Sequence, residues 1–129
     1  KEVAHLINSI VHSEMVVTAG STMALDAVAL RKPAISVTFE KSRAPYWWSA
    51  GRFGDHFTHF EDMMATGGVR GADSPEALAS AINDYLRDSS CDAEGRARCA
   101  KEFLEPNDGG VGERIAERVR RFFIGNAVS

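Results

Sequence analysis

The chain has 129 residues, 44% of them hydrophobic and 26% charged, which fits one globular domain with its own core and excludes bulk disorder. Fifteen basic against eighteen acidic residues give a formal net charge of −3, which argues against a general nucleic-acid binder. No apolar run approaches the roughly 18 residues of a membrane-spanning helix, and Lys1-Glu2 does not open a leader segment.

The first segment carries Val3, Leu6, Ile7, Ile10 and Val11 at helical spacing. Met15-Val16-Val17-Thr18 follows, a short apolar run with β-branched members that reads as a buried strand. Ala19-Gly20-Ser21-Thr22 breaks it, and Met23 to Leu30 reads as a short, largely buried helix with Asp26 as its one charge. Pro33 leads into a second strand over residues 34–38. From Phe39 to about Met64 periodicity fails. That aromatic and charged stretch reads as a long loop with one short helix, a length typical of functional segments. Gly67-Gly68 leads to a short third strand at Val69-Arg70. Ser74-Pro75-Glu76 supplies a cap, a first-turn proline and an early acid for a helix whose apolar face holds Leu78, Ile82, Tyr85 and Leu86. A further helix begins at Asp92 and runs to about Leu104, interrupted at Gly95. After a turn at residues 106–110, a last helix is expected to carry Ile115, Val119, Phe122 and Phe123 inward, with its arginines mostly solvated.

Cys91 and Cys99 fall eight apart in a helix-like segment, about 12 Å at the helical rise and beyond disulfide reach, so free thiols in a reducing compartment are expected. Strands alternating with helices imply parallel pairing through right-handed crossovers. The fold class expected is α/β, half of a doubly wound parallel sheet followed by C-terminal helices. The chain opens at Lys1 directly in a helical pattern, so a portion of a longer protein is expected.

The sharpest local feature is Thr18-Ala19-Gly20-Ser21-Thr22-Met23, a strand end, a turn of small residues and a helix start. Gly20 allows unusual dihedrals and close approach of a ligand, and Ser21 or Thr22 can cap the helix. Amides of a first helical turn lack internal partners, which suits an anion at the carboxyl end of a parallel strand. A plain capped helix after a tight turn fits the same residues. Asp26, four residues beyond Thr22, either shares the cleft and accepts hydrogen bonds from sugar hydroxyls or sits solvated on an exposed stripe.

The segment from Ser13 to Ile35, with its strand, Gly20-Ser21-Thr22 loop, Asp26-Ala27 and Lys32-Pro33 turn, resembles the donor-site segment of GT-B glycosyltransferases. It is also similar to the non-hydrolysing UDP-N-acetylglucosamine 2-epimerases. Ser74 to Leu78 and Asp108 to Ile115 resemble the C-terminal helices of the bacterial glycosyl- or glycerophosphotransferase-like branch. The resemblance implies a C-terminal, Rossmann-like half-domain of a GT-B fold spanning residues 1–129. It implies that Gly20, Ser21 and Thr22 hold the donor's phosphates and that Asp26, in place of the family's glutamate, holds ribose hydroxyls. Arg31 stands where the family usually has glycine before Lys-Pro. The implied partners are a nucleotide-diphosphate sugar and an N-terminal domain of the same protein, with no cofactor and a cytoplasmic location. A 2-epimerase fragment and a non-catalytic α/β binding domain are the alternatives.

Asp55-His56-Phe57-Thr58-His59 with Glu61 and Asp62 is too loosely spaced to identify a metal site, and no metal is expected. His59 is the candidate for contacting donor phosphate or sugar, or for stabilising a leaving group, against the plain reading of a structural histidine. Arg31, Lys32, Lys41, Arg43 and Arg52 against Glu40 make a basic stretch beside the phosphate loop. A solvated charged loop is the other reading, while Trp47 and Trp48 suit stacking or an interface.

Overall fold

The computed structural model describes residues 2–39 and 58–125. In chain order the elements are α1 (Glu2–Val11), β1 (Val16–Thr18), α2 (Met23–Ala29), β2 (Ala34–Val37), α3 (Thr58–Ala65), β3 (Arg70–Ala72), α4 (Pro75–Arg87), α5 (Ala93–Phe103) and α6 (Val111–Gly125). The three strands form one parallel sheet in the order β1-β2-β3. Val16 stands opposite Ala34, and Ile35 opposite Arg70. The fold is therefore α/β with an open three-stranded parallel sheet and, among the described residues, six helices, an arrangement compatible with a partial Rossmann-like fold.

Strand alternation divides the core in two. Successive side chains point to opposite faces of a strand. Ala34 joins a cluster with Val16 of β1, Ala24, Ala27 and Val28 of α2, Phe60 and Met63 of α3, and Cys99 of α5. Its neighbour Ile35 turns to the other face, where Ala72 of β3 and Ala81 and Tyr85 of α4 enclose it. Helices cover both faces of β2, which explains why its sequence is apolar without alternation. Ser74 behaves as its position predicts: its hydroxyl accepts the Ala77 amide at 3.1 Å and caps α4, with Pro75 in the first turn.

Gly95 does not interrupt its helix. It lies inside α5, where the helix rides directly on the backbone of Gly67-Gly68. A Cβ on Gly95 would stand 2.1 Å from the Gly67 carbonyl oxygen, and one on Gly68 would stand 2.6 Å from Cys99 Cβ. Gly67 itself has φ +73°, in the left-handed region that favours glycine. The approach is pinned by Arg98, whose Nε donates to the Thr66 carbonyl at 3.1 Å, and by Thr66, whose hydroxyl accepts the Gly68 amide. The glycine read as a break is thus a packing contact between α5 and the turn before β3.

Two further expectations need correction. The apolar side of α6 does not face inward: Ile115, Val119, Phe122 and Phe123 are all exposed. Leu86 at the end of α4 is exposed, although Tyr85 beside it is buried. Of the stripe on α1, Ile10 is the one buried member. Periodicity identifies residues that share a helix face, but burial also requires a second surface opposite that face.

Candidate site at the carboxyl edge of the sheet

Because all three strands run parallel, their carboxyl ends share one edge of the sheet. Three connections leave from it: Ala19-Gly20-Ser21-Thr22 after β1, Thr38-Phe39 after β2, and Asp73-Ser74 after β3. Thr38 locks this edge, since both its amide (2.8 Å) and its hydroxyl (3.1 Å) donate to the Ala72 carbonyl. Edges of this kind, outside the carboxyl ends of parallel strands, are where open α/β sheets form ligand crevices.

The turn after β1 is built on Gly20, at φ +58°. Ser21 follows, and its Oγ accepts the Met23 amide at 3.2 Å. Thr22 is the N-cap of α2 in a helical conformation, and its side chain makes no capping bond. The next amides are already engaged: Ala24 donates to the Ser21 carbonyl at 3.1 Å and Leu25 to the Thr22 carbonyl at 2.8 Å. This corrects the expectation that the first helical amides are unpaired. The chain tightens into i→i+3 bonds as it enters the helix, which satisfies those donors locally. Within this turn, the amides of Gly20, Ser21 and Thr22 donate to no described residue.

Asp26 is exposed. It lies one turn beyond Thr22, so the two share a face of α2 opposite Ala24, Ala27 and Val28, which enter the core. Arg31 has φ +60°, the left-handed conformation that glycine would adopt without strain at this helix end. The basic and aromatic residues that follow β2 (Lys41, Arg43, Trp47, Trp48, Arg52) and His56 lie outside the described residues. His59 belongs to the first turn of α3, and its side chain also lies outside them.

A second polar cluster went unnoticed in the sequence and sits at the opposite edge. Arg70, first residue of β3, donates through Nε (3.0 Å) and Nη2 (2.7 Å) to Asp92 Oδ2, and through Nη1 to Asp84 at 2.9 Å. The Tyr85 hydroxyl donates to the same Asp92 oxygen at 2.6 Å, and the guanidinium lies 4.5 Å from the Tyr85 ring centroid. Burial pushes the Asp92 carboxyl toward the neutral form. The hydrogen bonds from Tyr85 and Arg70, with the nearby positive charge, outweigh it and hold the group below its ordinary range. Burial, reinforced by the bond to Asp92, raises the Tyr85 hydroxyl well above its ordinary value. Asp92 has φ +59° and caps α5 without a side-chain capping bond, because its carboxylate is committed to Arg70 and Tyr85. This network ties β3, α4 and the α4–α5 connection together. Sequence gave no cue, because Arg70 and Asp92 are 22 residues apart.

Neither a family model, nor a curated protein, nor a solved structure matches this chain. Among the described residues no helix is long and apolar enough to cross a membrane.

Proposed function

We propose that this chain is the nucleotide-sugar-binding part of a GT-B-type glycosyltransferase, completed by an N-terminal domain of the same protein. The observation that carries the reading is the trio of unengaged amides at Gly20, Ser21 and Thr22, held by a positive-φ glycine at the carboxyl edge of a parallel sheet. Successive backbone N–H groups in such a turn form an anion-binding concavity. In group transfer from a nucleoside diphosphate, negative charge develops on the departing diphosphate, and preorganised donors lower the barrier by opposing it. With α2 only two turns long, the weight falls on the turn's amides and the free Thr22 hydroxyl rather than on a helix dipole. Asp26, exposed on the Thr22 face, is the candidate to accept hydrogen bonds from ribose hydroxyls. His59, at the start of α3, is the candidate to contact the donor's phosphate or sugar. A cytoplasmic location belongs to the same reading.

Calorimetric titration of the full-length protein with UDP, CDP and GDP tests this. One of the three should bind. Thr22→Ala should weaken it about tenfold, as loss of a hydrogen bond to a charged group does, without changing the melting temperature. Asp26→Asn should weaken a nucleoside and its diphosphate alike. The proposal fails if none of the three binds, or if Thr22→Ala and Asp26→Asn leave affinity unchanged.

A further inference from the structure

Helix α6 is more strongly amphipathic than α1, α3, α4 or α5, and its apolar side is bare. Ile115, Val119, Phe122 and Phe123 are 49–68% exposed. Phe122 and Phe123 meet each other edge-to-face, with centroids 5.6 Å apart, in solvent rather than in the core.

Helical geometry groups Val111, Ile115, Val119 and Phe122 in one stripe. Arg114, Arg118 and Arg121 form a ridge along its margin. One shallow groove is lined by Val111, Arg114, Ile115, Arg118 and Val119, and the next by Arg118, Val119, Arg121, Phe122 and Phe123. Glu113 and Glu117 fall on the far side of the helix from the stripe.

This arrangement suits an interface with a negatively charged, apolar-cored surface. The apolar side chains can sink among acyl chains while the arginines at the margin reach lipid phosphates. We propose that α6 is an interfacial anchor that seats the protein on an anionic membrane.

Charge favours this occupant over a second copy of the chain. The four arginines and two glutamates of α6 give the helix a charge of +2, so the remainder of the −3 chain carries −5. α6 is therefore a locally cationic helix on an acidic chain, and its arginine ridge sets which side faces the bilayer. Antiparallel pairing of two α6 helices would instead set the arginine ridge against itself. Arg114 and Arg121 are paired, with Asp108 at 2.8 Å and Glu117 at 2.9 Å. Both pairs are solvent-exposed and weak enough to exchange for lipid phosphate. At about 22 Å the helix is shorter than the roughly 30 Å hydrocarbon core, so it lies on the bilayer rather than crossing it.

Flotation of the full-length protein with vesicles tests the proposal. Phosphatidylcholine vesicles are compared with vesicles that also contain phosphatidylglycerol. The protein should float with the anionic vesicles alone and be released by salt. Replacing Arg114, Arg118 and Arg121 with glutamine should lower vesicle affinity roughly 100-fold. Val119→Asp with Phe122→Asp should abolish it with an unchanged circular dichroism spectrum, because both side chains are exposed. Absence of binding, equal binding to neutral vesicles, or undiminished binding by the aspartate variant overturns the proposal. So does an oligomer that dissociates in the aspartate variant while the wild type ignores vesicles.

Discussion

Gly95→Ala offers the sharpest check on the packing described above. Alanine is the better helix former, and in an exposed helix interior the change would stabilise by about 1 kcal/mol. Here the added methyl group would stand 2.1 Å from the Gly67 oxygen, 2.3 Å from the Gly67 carbonyl carbon and 2.9 Å from the Gly68 nitrogen. All three are backbone atoms, so no flexible side chain can swing aside. Gly67 is held in a left-handed turn, and Gly68 is boxed by Cys99 and the Gly95 carbonyl, so the turn has little room to retreat. Overpacking of this kind costs about 3 kcal/mol at the upper end of its usual range. After the propensity gain, the net loss is about 2 kcal/mol. At roughly 4 °C per kcal/mol for a domain of this size, the melting temperature should fall by about 8 °C. Thermal melts followed at 222 nm, with urea unfolding to confirm an unchanged m-value, measure it. Gly112→Ala is the matched control. It also lies in a helix, but nothing stands within 4 Å of its added Cβ. It should stabilise by a few tenths to about 1 kcal/mol. If Gly95→Ala proves as stable as the wild type, the close approach of α5 to the Gly67-Gly68 turn is wrong.

Ser74→Ala removes the cap of α4 and should cost about 1 kcal/mol in urea unfolding. Asp92 has a folded-state pKa below its unfolded value, so its contribution is complete above the ordinary carboxylate pKa and is lost as pH falls through the depressed one. Stability should therefore drop on acidification below about pH 4, and the drop should be shallower in Asp92→Asn. Tyr85 has the opposite sign: its pKa is raised on folding, so its contribution fades as pH climbs past the ordinary tyrosine value, and Tyr85→Phe should flatten that alkaline limb. Half-buried Cys91 should react with a maleimide in the native protein. Cys99, fully buried and with its thiol pushed up by that burial, should react only on unfolding.

The order of strands and helices was legible in the sequence because each element reflects local chemistry. Val16-Val17 and Ala34-Ile35 are short apolar runs, Ser74-Pro75-Glu76 is a helix start, and Gly20 marks a turn. Parallel pairing then followed from the alternation itself. The candidate site was legible in part for the same reason: Gly20, Ser21, Thr22 and Asp26 are neighbours along the chain, so their common turn needs no distant partner. What sequence could not convey was how the chain's own amides are spent. The Ala24 and Leu25 donors are satisfied by the tight entry into α2, and the unengaged ones lie a few residues earlier.

The sequence by itself determined the α/β class and the turn after β1, both products of neighbouring residues. Tertiary structure decided the rest. It made Gly95 a contact instead of a break, because another segment's backbone occupies the space a Cβ would fill. It joined Arg70 to Asp84, Tyr85 and Asp92 across two helices. It left the α6 stripe bare, because a helix's periodicity aligns its apolar residues whereas covering them takes a second surface that only the folded chain, or something it meets, can supply.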